Sequence, residues 1–200
     1  MFSGIVEERG EVERIEAGKT SIQLSIRATL EPADLKIGDS LAVNGCCLTV
    51  VQIQGRGKAK TVRFDLLKET WERTNLQFVR PGSSVNLERS LRADGRLHGH
   101  FVTGHIDEVG IIKEFKPRGS DWFLEVAPPA RLLRYIVPKG AIAIDGISLT
   151  VAEVGRRTFS VWIIPHTREV TSLRERREGD AVNLEADMLA KYAEKLLRRG

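Results

Sequence analysis

The chain has 200 residues, enough for one large domain or two small ones. It is 42% hydrophobic and 29% charged with 18 Gly, 7 Pro and 2 Cys, which excludes collagen-like, disordered and disulfide-scaffold classes. A net charge of +4 is too diffuse to argue for nucleic acid, and no run approaches the ~18 apolar residues of a membrane span.

The start, MFSGIVEERG, lacks a basic region followed by an apolar one, so no secretory signal is expected. Alternation at period 2 predicts strands over Ser21–Ile26, Ser40–Val50, Thr61–Leu66, Trp122–Val126, Gly140–Val151 and Phe159–Ile163. Short helical turns are expected at Pro32–Leu35, Thr70–Leu76, Pro129–Tyr135 and Thr167–Leu173. Gly, Pro, Asp and Asn punctuate the strands at short spacing, which suits an antiparallel barrel or sandwich, and a barrel suits a small domain because closure removes the edges. The end differs. After Asp187, a good N-cap, Met188, Leu189, Tyr192, Ala193, Leu196 and Leu197 form one apolar stripe of a helix. Arg198 and Arg199 complement its dipole. The helix lacks the Lys-rich face and Trp or Phe anchors of a membrane-surface helix. Such an end helix packs on its own domain or associates with copies of itself.

The chain repeats. Ser3-Gly4 with Glu8 and Gly10 returns as Thr103-Gly104 with Glu108 and Gly110. Asn44-Gly45-Cys46-Cys47-Leu48-Thr49-Val50 returns as Asp145-Gly146-Ile147-Ser148-Leu149-Thr150-Val151. The block from Thr70 to Glu88 returns from Thr167 to Glu185, sharing Thr, Glu, Thr, Leu, Arg, Gly and Val-Asn-Leu-Glu in order. We therefore expect two homologous, mostly β domains of just under one hundred residues each, plus a C-terminal α-helix. The expected domains are 1–97, 98–186 and a tail of 187–200.

Cys46 and Cys47 are neighbours on a strand and face opposite ways, so no bridge between them is expected. A reduced, cytoplasmic chain follows as an expectation. Cys46, Leu48 and Val50 share one face, and Ile147, Leu149 and Val151 repeat it. The opposite face carries Cys47 and Thr49 in one copy, Ser148 and Thr150 in the other. These small polar pairs suit a ligand; the plain alternative is packing, which we favour for Cys46. His105 stands where the first copy has Ile5, and a polar ring at a duplicated aliphatic position suggests proton transfer. Its plain alternative is a satisfied surface histidine.

The blocks MFSGIVEE, NGCCLTV, FDLLKETWERTNL, VNLER, GHFVTGHID, YIVPKGAIAIDGISLTV and IIPHTREVTSL, in this order, resemble the riboflavin synthase family along essentially the whole chain. The resemblance implies an all-β fold of two tandem six-stranded antiparallel β-barrels plus a C-terminal α-helix, and a homotrimer held largely by those helices. It implies an exchange of a four-carbon unit between two molecules of 6,7-dimethyl-8-ribityllumazine, giving riboflavin and 5-amino-6-ribitylaminouracil. No metal or added cofactor is implied. Sites would lie between the first barrel of one subunit and the second barrel of another, and docking to lumazine synthase is a further implied partnership. The main alternatives are a non-catalytic lumazine- or flavin-binding protein of the same fold, and a reductase flavin domain. The latter lacks a Gly-rich dinucleotide fingerprint here.

By resemblance, Cys47, His105, Ser148 and Asp145 carry chemistry. Asp145 is equally a turn residue before Gly146. Substrate would meet Gly4, Ile5, Val6, Leu48, Thr49, Gly104, Ile106, Leu149, Thr150 and a loop lysine, Lys139. It would also meet two matched strand-to-turn segments. The first is Asp65, Leu66, Leu67, Lys68, Glu69 and Thr70; the second is Trp162, Ile163, Ile164, Pro165, His166 and Thr167. Thr70 and Thr167 are N-cap candidates as well. His100 is read as structural. His98 stands where the family usually has glycine, which affects the local turn.

Overall fold

A computed structural model describes residues 1–18, 20–29, 35–55 and 58–197. The turn expected at 32–35 falls mostly outside these residues, as do Arg198 and Arg199. The first barrel comprises β1 (Glu8–Ala17), β2 (Ser21–Ala28), β3 (Ser40–Val43), β4 (Cys46–Gln54), β5 (Lys60–Leu67) and β6 (Ser84–Arg89). The second comprises β7 (Glu108–Arg118), β8 (Asp121–Ala127), β9 (Ala141–Ile144), β10 (Ile147–Val154), β11 (Phe159–Ile163) and β12 (Ala181–Ala186). Both sheets close, in the equivalent orders β1-β2-β5-β4-β3-β6 and β7-β8-β11-β10-β9-β12, with every pairing antiparallel. Closure leaves no unpaired sheet edge.

The alternating residues fill the barrels. Leu24, Ile26, Leu41, Cys46, Leu48, Val50, Phe64, Leu66 and Leu87 pack inside the first barrel. Ile112, Leu124, Ile142, Ile147, Val151, Phe159, Ile163 and Leu184 fill the second. The stretch read as one strand over Ser40–Val50 is a hairpin, as is Gly140–Val151. Asn44-Gly45 and Asp145-Gly146 turn them, each residue with positive φ. This is the turn chemistry that a two-residue hairpin demands. Four strands are additional to those expected: β6 and β12, which alternate only over Val-Asn-Leu-Glu, and β1 and β7, whose charged residues obscure any alternation. The turns after β5 and β11 become α1 (Lys68–Glu72) and α3 (Pro165–Val170), each followed by a 3-10 turn. The turn before Tyr135 is α2 (Ala130–Leu133), and the tail is α4 (Met188–Leu197), whose first turn donates to Asp187 Oδ1 from the Leu189 amide at 3.0 Å.

The barrels meet along a pseudo-two-fold seam. Phe2 and Val102 form an antiparallel bridge across it, packed between Ala42 and Ala143. Gly45 and Gly146 touch: a Cβ on Gly45 would lie 2.7 Å from the Gly146 nitrogen. Asparagines bind reciprocally. Asn86 donates to the Asp145 carbonyl at 2.9 Å, and Asn183 donates to the Asn44 carbonyl at 2.8 Å. The Asn75 amide donates to Asn183 Oδ1 at 2.6 Å, and the Ser172 amide donates to Asn86 Oδ1 at 2.7 Å. Every one of these side chains is buried, and each hydrogen bond satisfies a group that would otherwise cost about 1–3 kcal/mol.

Candidate active site

Each barrel carries an outer face floored by its Cys47 or Ser148 strand, and the leader of the other repeat crosses it. Residues 103–106 precede the second barrel, yet the Cys47 amide donates to the Gly104 carbonyl at 2.8 Å. Ile106 packs on the core of the first barrel. Symmetrically, the Ser148 amide donates to the Gly4 carbonyl at 2.7 Å, and Val6 packs on the second core. Only glycine fits at either crossing. A Cβ on Gly104 would lie 2.6 Å from Cys47 Cβ; one on Gly4 would lie 2.6 Å from Ser148 Cβ. Both have positive φ, +83° and +76°.

Buried carboxylates hold the leaders. Glu88 on β6 accepts from the Ser3 amide (2.7 Å), the Ser3 hydroxyl (2.8 Å) and the Gly4 amide (3.1 Å). Glu185 on β12 accepts from the Thr103 amide, the Thr103 hydroxyl and the Gly104 amide, at 2.6, 2.7 and 2.9 Å. Burial pushes the Glu88 carboxyl up, against the three donors that favour its ionised form. The repeated Val-Asn-Leu-Glu motif thus has a meaning: its Asn joins the barrels and its Glu clamps a leader.

The cysteines divide as their alternation requires. Cys46 is buried and its thiol is pushed up to about 12 by burial, which makes it inert. Cys47 is half-buried and both thiols are free. His105 is exposed, and its amide donates to Thr103 Oγ1 at 3.3 Å. The leader thus sets His105 one residue from the Gly104 that seats on Cys47. Thr49 and Asp65 are exposed on the same outer face, as are Thr150 and Trp162 on the other. Leu67, Ile164 and Ile5 add exposed apolar surface. Leu48, Leu66 and Ile163 point into the barrels, so only their backbone faces outward, and half-buried Leu149 leans on the second core.

Lys68, Glu69 and Thr70 lie in α1; Pro165, His166 and Thr167 lie in α3. Neither helix has a side-chain N-cap. Thr70 and Thr167 are not caps: their carbonyls accept from Thr74 and Thr171, which cap the 3-10 turns that follow. Lys139 is exposed and left-handed (φ 65°), at the place of Gly38, whose φ is 93°. Lysine is thus held in a backbone region that the duplicate leaves to glycine.

Asp145 stands apart from the outer faces. Its side chain is 0% exposed and lies in the seam. It accepts from Asn75 Nδ2 and the Asn183 amide, each at 2.7 Å, and pairs with Arg176 at 2.8 Å. Burial pushes this carboxyl up, opposed chiefly by Arg176. Its positive φ fits the turn reading.

His100 is the residue that sequence reading set aside. Its Nδ1 lies 2.8 Å from Ser148 Oγ, and Nε2 is buried without a hydrogen-bond partner. Burial holds the imidazole below its ordinary pKa, which keeps it neutral. The imidazole tautomer sets the direction of the hydrogen bond with the Ser148 hydroxyl. No motif in the sequence ties His100 to Ser148. Gly99 is forced, because a Cβ there would meet the Ser3 carbonyl at 2.1 Å.

A cavity of about 510 Å³ lies away from Cys47 and Ser148, between the chain linking the barrels and the Ile5 side of the first barrel. Among the described residues no cluster of His, Cys, Asp and Glu could hold a metal, and no helix is long and apolar enough to cross a membrane.

The Lumazine binding domain model matches residues 3–90 and again 103–187. The chain belongs to the lumazine-binding family. It is 47% identical to the riboflavin synthase of Mycobacterium tuberculosis (strain ATCC 25618 / H37Rv) over 99% of this chain and 98% of that one. It is 36% identical to the riboflavin synthase of Bacillus subtilis (strain 168), over 100% and 91%. Among solved structures it is similar to LumP complexed with riboflavin, with a TM-score of 0.82, 27% identity, and 93% of this chain and 99% of that chain covered. It is also similar to LumP complexed with 6,7-dimethyl-8-(1'-D-ribityl) lumazine, with a TM-score of 0.81, 25% identity and the same coverage.

Proposed function

We propose that the chain is a riboflavin synthase: it converts two molecules of 6,7-dimethyl-8-ribityllumazine into riboflavin and 5-amino-6-ribitylaminouracil. The observation that carries this is the pair of matching faces, each built from a Cys47 or Ser148 strand and the leader of the other repeat. A reaction between two copies of one molecule needs two related sites. Duplication supplies them, and holding both reactants can lower the barrier by roughly 7–11 kcal/mol.

In this reading His105 takes a proton from the methyl group at C7 of one lumazine, leaving a carbanion delocalised over the ring. Cys47 polarises or adds to an electrophilic ring carbon of a bound lumazine. Ser148, with neutral His100 behind it, hydrogen-bonds the ligand of the second barrel. The carbanion attacks the other ring, and the adduct fragments so that four carbons pass from donor to acceptor. Thr49, Asp65, Thr70 and the backbone of 66–69 grip one ring; Thr150, Trp162, Thr167 and the backbone of 163–166 grip the other. Asp145 holds the seam that fixes the two faces, a positioning role that fits its buried hydrogen bonds. Both faces are open, so a site formed where the first barrel of one subunit meets the second barrel of another suits them, with Lys139 reaching across. The exposed apolar stripe of α4 supports a homotrimer. A cytoplasmic location agrees with two free adjacent cysteines. Docking to lumazine synthase belongs to the same reading.

A non-catalytic lumazine binder has no use for a half-buried thiol beside a histidine-bearing leader. The test is to mix the protein with 6,7-dimethyl-8-ribityllumazine and follow riboflavin absorbance. Wild type should form riboflavin, and Cys47→Ser should turn over about 100-fold more slowly, within the range for a lost acid–base or nucleophilic group. A ligand bound with an unchanged spectrum defeats the enzyme reading.

A further inference from the structure

The two faces are duplicates in sequence and unequal in chemistry. In the first barrel, Ser40 pairs with Thr49. One step along the ladder from the Val50–Phe64 pair brings Thr49 opposite Asp65, which in turn pairs with Gln23. The second barrel has Ala141 paired with Thr150, then Trp162 one step from the Val151–Val161 pair, then Phe123 paired with Trp162. A row of Ser, Thr, Asp and Gln corresponds to a row of Ala, Thr, Trp and Phe. Only the threonine is shared.

The aromatic pair is built rather than incidental. The Trp162 and Phe123 rings meet edge to face, centroids 5.4 Å apart at 68°. The Arg118 guanidinium caps Phe123, its Cζ 3.7 Å from the ring centroid. The T-shaped contact fixes the tilt of the indole while Trp162 keeps 47% of its surface exposed. The other two tryptophans, Trp71 and Trp122, are half-buried against the barrel cores.

We propose that Trp162 is the stacking platform for the flat heteroaromatic ring in the second barrel, and that Phe123, capped by Arg118, is a positioning residue that fixes the indole. This rests on the reading that these faces bind lumazines and flavins. The first barrel, with Asp65 and Gln23 in the equivalent places, grips its ring through polar contacts. The two identical substrates are therefore held by different forces, and a wider tricyclic ring gains more on the second face than on the first.

The experiment uses the full-length chain with riboflavin as the equilibrium probe and 6,7-dimethyl-8-ribityllumazine as the substrate. Riboflavin should quench the tryptophan emission of wild type, and Trp162→Phe should remove most of that quench. Trp162→Ala should raise KM, and the Kd of the weakened riboflavin site, about tenfold, the scale of losing an aromatic platform under a stacked base. Phe123→Leu should raise KM severalfold with kcat little changed, and Phe123→Tyr should restore it. Wild-type KM and riboflavin affinity in Trp162→Ala, with turnover intact, overturn this proposal alone. Wild type that neither binds riboflavin nor consumes the lumazine overturns the parent reading with it.

Discussion

The Cys47 amide donates to the carbonyl of Gly104 at 2.8 Å, so the strand that offers the thiol is seated by a residue from the other repeat. The crossing is tight enough to be tested by one methyl group. In Gly104→Ala the added Cβ meets Cys47 Cβ at 2.6 Å and the Phe2 ring at 2.8 Å, in a backbone region that alanine resists. We expect a loss of about 2–5 kcal/mol, from strain and overpacking together. Gly82→Ala is the control: its φ is +89°, with nothing within 4 Å, so only about 1–2 kcal/mol is expected. Urea unfolding compares them, and equal losses would contradict the close contact.

Asp145 should behave as a seam residue. Asp145→Asn keeps an acceptor for Asn75 and Asn183 but turns an amide donor toward Arg176 and leaves that cation unpaired. The expected cost is about 3 kcal/mol, at the low end for a broken buried pair because Arg176 is partly exposed. The pH sign follows from the raised carboxyl. The native state binds this proton more readily than the unfolded chain, so the contribution is present below about 3.8 and fades as pH rises through the folded value. Asp145→Asn should remove that dependence from the melting profile. An unchanged profile would count against it.

His100 has the opposite behaviour. Its folded pKa lies below 6.5, so between the two values the unfolded state binds more protons. Its contribution to stability is present above 6.5 and declines as pH falls below it. His100→Asn should make the urea midpoint less sensitive to acidification between pH 7.5 and 5.5, and an NMR titration should place its pKa below the ordinary histidine value. A ring that titrates at or above 6.5 would exclude the neutral partner assigned to Ser148.

Deleting residues 188–200 should abolish assembly and with it most activity. The helix ties its polar side to the second barrel through Lys191–Asp107 at 2.6 Å and Arg134–Glu194 at 3.2 Å. Leu189, Tyr192, Leu196 and Leu197 are left exposed, and burying each is worth roughly 1.5–3 kcal/mol. Light scattering with the riboflavin assay decides: a fully active monomer would defeat the shared site.

Much of this architecture is written in the residues. The Asn44 to Val50 block and its copy show both the hairpin and the inward and outward faces, because alternation is a physical requirement of a half-buried strand. The strands β1 and β7 escape notice because Glu and Arg crowd them: Arg27 pairs with Glu11 at 2.6 Å, and Glu114 binds both Lys116 and Arg118. Such strands are held by closure of the barrel rather than by their own pattern. Repetition shows that Gly4 and Gly104 are equivalent, yet equivalence does not say which barrel each one serves. Asp145 is near Ser148 in sequence, yet the turn that it forms sends the two side chains to different neighbours. The contact of His100 with Ser148 is not legible in the sequence, because 48 residues separate them.

The crossed leaders also bear on folding during synthesis. The first barrel can close its ladder once residue 89 leaves the ribosome, and Glu88 can then already hold Ser3 and Gly4. Its Cys47 strand is seated only when Gly104 follows, whereas the carbonyl of Gly4 stands ready in advance for the amide of Ser148. The second barrel can therefore close onto a seat that the first one has already set.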